Sequence, residues 1–141
     1  RILLTGSNGL LGQKLVALLR QQAGVELIAT SRGTNKLAAL YPEVRFVPLD
    51  VTNQQQVQQI LTQEGPTHLI HTAAMTNVDE CELNHEACWQ QNVAAVEHLV
   101  SACAQLGIAP AAGLTSPPWS ISTGSRPALW PDASIRAATP W

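Results

Sequence analysis

Three glycines at every third position, Gly6, Gly9 and Gly12, follow an apolar run (Ile2, Leu3, Leu4) and lead into Leu11, Leu15, Leu18 and Leu19 at helical spacing. No other feature constrains the chain as much. A continuous apolar run, unlike an alternating one, suits a strand buried on both faces of a parallel sheet. The glycines let the backbone turn tightly, let a ligand approach the main chain and let a helix pack close to the strand. The segment therefore reads as strand, glycine turn and helix, the helix running from about 10 to 22 and closed by Gly24. Free N–H groups at the start of such a helix, at the positive end of its dipole, suit a pyrophosphate. A dinucleotide site is the leading functional expectation, and a purely structural turn is the plainer one.

The same alternation continues down the chain. Residues 25–30 read as a second parallel strand, with Ser31, Arg32 and Gly33 at its tip above the pocket. An acid there would bond an adenosine ribose 2'-hydroxyl, whereas Arg32 can grip a 2'-phosphate and Ser31 can donate to it. This favours NADP, with NAD as the alternative and a solvated loop arginine as the plainer reading. A short helix is expected at 35–40, ended by Pro42, then a third strand at 44–49. Next comes a helix at about 54–63 that turns Val57, Ile60 and Leu61 inward and its glutamines outward. Gly65-Pro66 ends it, a fourth strand follows at 67–72, and the small residues Ala73 and Ala74 leave room at its end for a nicotinamide ribose. A long helix then runs to about 105 with Trp89, Val93, Val96, Val100 and Cys103 on one stripe. The expected fold is α/β, a three-layer Rossmann fold with a parallel sheet in the order 3-2-1-4, incomplete at the C-terminus, with the cofactor at the switch point between strands 1 and 4.

Three stretches carry a family resemblance. Thr5-Gly6-Ser7-Asn8-Gly9-Leu10-Leu11-Gly12 after a strand at the chain start resembles the extended short-chain dehydrogenase/reductases, and Asp50-Val51 at the third strand end is the second part. Ala73-Ala74-Met75-Thr76-Asn77-Val78-Asp79, followed by Cys81-Glu82, is similar to the dTDP-4-dehydrorhamnose reductase group within them. The resemblance implies NADP-dependent reduction of a 4-keto nucleotide sugar by the parent protein. It implies that Gly6, Gly9, Leu10, Leu11 and Gly12 hold the pyrophosphate and Ser31 and Arg32 the 2'-phosphate. Asp50 and Val51 would take the adenine, and Ala73, Ala74 and Met75 would line the ribose and nicotinamide path. Asn92 matches a family asparagine that helps hold the following active-site strand. The plainer reading of Asp50, Thr52 and Asn53 is that they cap the next helix. Another nucleotide-sugar epimerase or dehydratase, or a non-catalytic NAD(P)-binding regulatory subunit, would share all of these residues.

Composition excludes other classes. The 141 residues are 45% hydrophobic and 13% charged with a net charge of -2, which fits a soluble globular domain. No basic stripe points to nucleic acid, and no apolar run approaches the roughly 18 residues of a membrane span. No secretory signal pattern is visible, so the expectation is a cytoplasmic protein whose partner is a nucleotide-sugar substrate, with homodimerisation compatible. Cys81, Cys88 and Cys103 lack metal-ligand spacing and are expected to be buried free thiols. His68 and His71 face opposite sides of a strand and read as structural, and His98 as a helix-surface residue. Glu80, Glu82 and Glu86 read as the acidic first turn of a helix. No metal site is expected.

A fifth strand should follow Gly107-Ile108 but is not legible. Residues 109–141 contain six prolines and three of the four tryptophans, without strand alternation or helical periodicity. The expected division is a truncated NAD(P)-binding domain at 1–108 and an irregular tail at 109–141. A shifted reading frame is the sharper account of that tail, because a one-base slide can turn Thr115 to Pro118 into a sequence ending in Ser-Thr. The superfamily's proton-donating Tyr and the Lys four residues on are also missing. The only tyrosine is Tyr41, with Arg45 four positions later, and the lysines are Lys14 and Lys36. No catalytic residue is therefore assigned, and the chain reads as a cofactor-binding first half without turnover.

Overall fold

A computed structural model describes residues 1–110. The expectations for 111–141, the reading-frame hypothesis among them, lie outside the described residues. The first strand, β1 (Ile2–Thr5), is buried from Leu3 onward and leads through the glycine turn into α1 (Leu10–Leu19). Then come β2 (Leu27–Ser31), β3 (Arg45–Pro48), α2 (Gln54–Glu64) and β4 (His68–His71). Two short helices, α3 (Val78–Leu83) and α4 (His85–Trp89), a π-helical turn at Gln90–Ala94, and α5 (Ala95–Leu106) complete the helical part.

The sheet is parallel, in the order β3-β2-β1-β4-β5, which contains the expected 3-2-1-4. Its fifth member, β5 (Ala109–Pro110), is a strand at the place where one should follow Ile108 but is not legible in the sequence. Ala109 N–H donates to the Thr67 carbonyl at 2.9 Å, so two residues pair with β4 although proline prevents the alternating pattern that reveals a strand in sequence.

The sheet has a core on each face. Leu3, Ile28, Leu69, Val57, Leu61 and Leu99 meet on the side of α2 and α5. Leu4, Val16, Leu27, Ala29 and Leu37 meet on the side of α1. Alternate residues of β1 thus serve opposite cores, as the strand period requires. Val57, Ile60 and Leu61 face inward as expected. At the far end of α2, Arg45 clasps Glu64 with two hydrogen bonds (2.8 and 2.7 Å). That contact holds the Glu64 carboxyl below the usual carboxylate range.

Several local expectations fail for identifiable reasons. Leu11 and Leu18 are exposed; Gly12 and Val16 take the buried side of α1, because the helix sits so close to the turn that only glycine fits at its contact. Residues 36–40 form turns where a short helix was expected; Asn35 Oδ1 binds Leu37 N–H and Asn8 Oδ1 binds Lys36 N–H, drawing the backbone out of helix. The long helix is interrupted at Asn84, whose side chain accepts from Ala87 N–H and caps α4. The π-helical turn then shifts the buried stripe to Ala94, Ala95, Leu99, Ala102 and Cys103, leaving Trp89, Val93, Val96 and Val100 only partly buried.

The break also changes the cysteine chemistry. Residues seven apart on one helix stand about 10 Å apart at 1.5 Å per residue. Folding α3 against α4 at Asn84 brings the Cα atoms of Cys81 and Cys88 to 5.2 Å, and the two form a disulfide. Only Cys103 is free among the described residues, and its burial raises its thiol pKa. His98 is half-buried, with Nδ1 3.5 Å from the Val51 carbonyl oxygen, and is not a plain surface residue. His71 is structural as expected: its Nδ1 lies 2.6 Å from Thr5 Oγ1, and burial lowers its pKa.

Candidate functional site

The loops that leave the C-terminal ends of the strands are stitched to neighbouring strands. Ser7 N–H donates to Thr30 O, Leu49 N–H to Ser31 O, and Thr72 N–H to Thr5 O, at 3.0 to 3.1 Å. The Thr72 hydroxyl also donates to Thr5 O at 2.7 Å. The turn after β1 and the end of β4 are consequently in direct contact. Gly6 has φ 75°, and a Cβ there would lie 2.5 Å from Ala73 N, so neither the conformation nor the space admits a side chain. A Cβ on Gly12 would collide with the Gly6 carbonyl. Gly6 thus sets the floor of a crevice, and Gly12 lets α1 close against it.

The crevice is a cavity of about 480 Å³ over the point where the sheet order reverses between β1 and β4. Gly6 and Gly9 form its floor, with Ser31 and Arg32 at the β2 end, Val51 at the β3 end, and Ala73, Ala74 and Met75 at the β4 end. Those eight expected residues are brought together. Leu10, Leu11, Gly12 and Asp50 are not on its wall: Leu10 and Leu11 turn their side chains to solvent, and Gly12 lies beneath the turn. The Asp50 carboxylate accepts from Thr52 N–H and Thr52 Oγ1 (3.0 and 2.7 Å), while Asn53 caps α2 by accepting from Gln56 N–H. The N-terminus of α1 is open, since Gly9 offers no side chain to cap it and its first turn holds no acid.

Eight cavity residues were missed by sequence reasoning: Leu49, Thr72, Thr76, Asn77 and the acid Glu80, and three with a more particular placement, Lys36, Asn8 and Gln91. Lys36 reaches the wall from the turn after β2. Asn8 also lines it and binds the Lys36 segment, a link that sequence spacing does not carry. Gln91 lies on the wall, is only 4% exposed, and its Oε1 has no hydrogen-bond partner among the described residues. A buried unpaired carboxamide oxygen in a cavity wall is what a polar ligand group or a bound water would satisfy. The π-helical turn aims Gln91 there. The Asn92 side chain holds Met75 at both backbone groups, accepting from its N–H (2.8 Å) and donating to its O (2.9 Å). It therefore fixes the loop after β4; the strand after Asn92, to which the resemblance pointed, is described only at Ala109–Pro110.

Comparison with known proteins agrees with this arrangement. Residues 1–110 match the model of the RmlD substrate binding domain family. The chain belongs to that family. A dTDP-4-dehydrorhamnose reductase of Aggregatibacter actinomycetemcomitans is 32% identical over 72% of this chain and 30% of its own length. The crystal structure of a hypothetical dTDP-4-dehydrorhamnose reductase from Sulfolobus tokodaii is 29% identical, with a TM-score of 0.67 over 78% of this chain and 37% of that one. A Thermus thermophilus UDP-glucose 4-epimerase, solved with NAD, is 27% identical, with a TM-score of 0.69 over 77% of this chain and 35% of that one. The chain thus spans about a third of the length of the family members it matches, and the fold is the α/β Rossmann arrangement of reductases and epimerases.

Proposed function

We propose that this chain is the cofactor-binding part of an NADP-dependent reductase that acts on a 4-keto nucleotide sugar. The observation that carries the reading is the cavity over the strand switch point, with small residues at the β4 end and a cation at the β2 end. Its chemistry fits a dinucleotide. The glycine floor admits a pyrophosphate to the uncapped start of α1, where backbone N–H groups and the helix dipole stabilise negative charge. Arg32 and Ser31 would bind the 2'-phosphate, and Val51, with Asp50 behind it, would border the adenine. The unpaired Gln91 oxygen is a further polar position that such a ligand could satisfy.

When bound, a nicotinamide dinucleotide supplies a hydride. The residues of this chain would orient it and keep its reactive end at Ala73, Ala74 and Met75, whose small or unbranched side chains leave a path across the sheet edge. The 4-keto sugar substrate is proposed from the reductase relatives of this family. The described residues hold the cofactor side of the site, so substrate binding and proton donation are assigned to the remainder of a full-length protein.

The experiment is a titration of the chain with NADPH and NADH, followed by nicotinamide fluorescence, with Arg32→Ala alongside. NADPH is expected to bind more tightly, and the variant to lose about tenfold for NADPH alone, as the loss of a charge-assisted contact implies. Equal affinity for the two dinucleotides, or a preference that survives Arg32→Ala, refutes the cofactor assignment.

A further inference from the structure

Six cationic side chains fall in the described residues, and three of them are spent on acids: Arg1 on Glu26, Arg20 on Glu43 and Arg45 on Glu64. Of the other three, Lys14, Arg32 and Lys36, none forms an ion pair among the described residues, and two of the three line the cavity. Both of these come from the short segment that follows β2. A loop with two exposed cations would ordinarily spread them into solvent, but this one is tied down. Asn8, in the glycine turn, donates from Nδ2 to Thr34 O at 2.9 Å and accepts at Oδ1 from Lys36 N–H at 3.0 Å. Asn8 is itself steadied by Gln13 Nε2, which donates to the Asn8 carbonyl at 2.8 Å. One carboxamide thus uses both of its ends to join the floor of the cavity to the backbone that carries Lys36.

We propose that Lys36 is a second cation for the phosphate monoester of the bound dinucleotide and that Asn8 is the positioning residue that holds Lys36 in the cavity wall it shares with Arg32. The inference rests on the NADP reading above. A phosphate monoester carries nearly two negative charges near neutral pH. One guanidinium leaves part of that charge unmatched, and an ammonium from the same segment completes it. The division of labour follows from the groups: Arg32 offers a planar fork to two oxygens, and Lys36 a point charge on a flexible stem. Because that stem costs side-chain entropy to order, a fixed backbone anchor matters more for Lys36 than for Arg32. Asn8 supplies it at the nitrogen of Lys36 itself.

The test is the NADPH and NADH affinity of the 141-residue chain, its Lys36→Ala, Lys36→Glu and Asn8→Ala variants, and the Asn8→Ala/Lys36→Ala double variant. Lys36 is exposed, so its replacement leaves the fold intact. Lys36→Ala is expected to weaken NADPH about fivefold with NADH unchanged, and Lys36→Glu to weaken it further through repulsion. Asn8→Ala should reduce the NADPH preference about threefold, and in the Lys36→Ala background should reduce it no more, because it acts through Lys36. A merely structural Asn8 would weaken both dinucleotides equally, and that result overturns the positioning role. Equal loss of NADPH and NADH in Lys36→Ala would place Lys36 on a group common to both and overturn the second-cation role. A parent chain without NADPH preference defeats the NADP reading itself. A parent with that preference and an unaltered Lys36→Ala variant defeats this inference alone.

Discussion

Asn92→Ala is the perturbation that most directly separates a site built by packing from one built by a polar clamp. The native side chain makes two hydrogen bonds to one residue, at 2.8 and 2.9 Å, to the N–H and the carbonyl of Met75. Each is worth about 1 kcal/mol net, so their joint loss costs about 2 kcal/mol. The site is only part-buried, and water can reach the released groups, which keeps the cost from rising toward the full penalty of two orphaned groups. For a domain of this size that predicts a fall in Tm of roughly 10 °C. Met75 lies on the cavity wall, so the same change should also weaken dinucleotide binding severalfold at a temperature where the variant is still folded. Asn92→Asp keeps the acceptor toward Met75 N–H but sets a negative oxygen against Met75 O, so it should be no better than alanine. Thermal unfolding by circular dichroism and the fluorescence titration read the two effects separately. A Tm within 2 °C of the parent, with unchanged affinity, would show that the loop after β4 is held by other contacts and refute the clamp.

Two further outcomes follow from the titrating and sulfur groups. Burial lowers the pKa of His71 in the folded chain, so the unfolded chain takes up a proton first as pH falls below about 6.5. Stability is therefore full above that value and is lost as pH falls toward the folded pKa. Tm should drop between pH 7.5 and 5.5, with a smaller drop in His71→Asn; equal slopes would refute the assignment. The Cys81–Cys88 bond predicts that the chain, unfolded without reductant, exposes one reactive thiol, Cys103, and after reduction three. Three thiols before reduction would show that the pair is open.

The strands were legible because their runs are short, apolar and bounded by turn residues, as in Ile2-Leu3-Leu4 and Leu27-Ile28-Ala29. The crossover order then followed from the glycine turn and the connections that a parallel sheet requires. At the site, the residues that face the cavity by strand-end position, Ser31, Arg32, Ala73 and Ala74, were legible for the same reason. Lys36 and Asn8 were not, because their meeting depends on a carboxamide bridging 28 positions of sequence to Lys36 N–H. Gln91 was hidden differently. Helical periodicity assumes 3.6 residues per turn, and the π-helical turn at Gln90–Ala94 breaks that count just where Gln91 turns inward. The Asn77 and Asn84 caps were the available signal for the break, since each is an asparagine followed by an acid two or three positions on. Taking them as caps would have divided the long helix and brought Cys81 and Cys88 within reach.

Among the described residues, the two faces of the sheet are covered differently. Thirteen buried and three partly buried of these residues form the core on the side of α2 and α5, and five buried with seven partly buried ones form the core under α1. Leu10, Leu11 and Leu18 of α1 remain largely in water. The layer under α1 has more of its apolar residues only partly buried, and its helix begins at the glycine turn, so a ligand seated on that turn would also brace α1 against the sheet. Occupancy and the local integrity of α1 would then be one equilibrium, in which a ligand adds RT ln(1 + [L]/Kd) to the α1 side. The stiffness of α1 would thus be set by the occupant of the turn as well as by the residues beneath the helix.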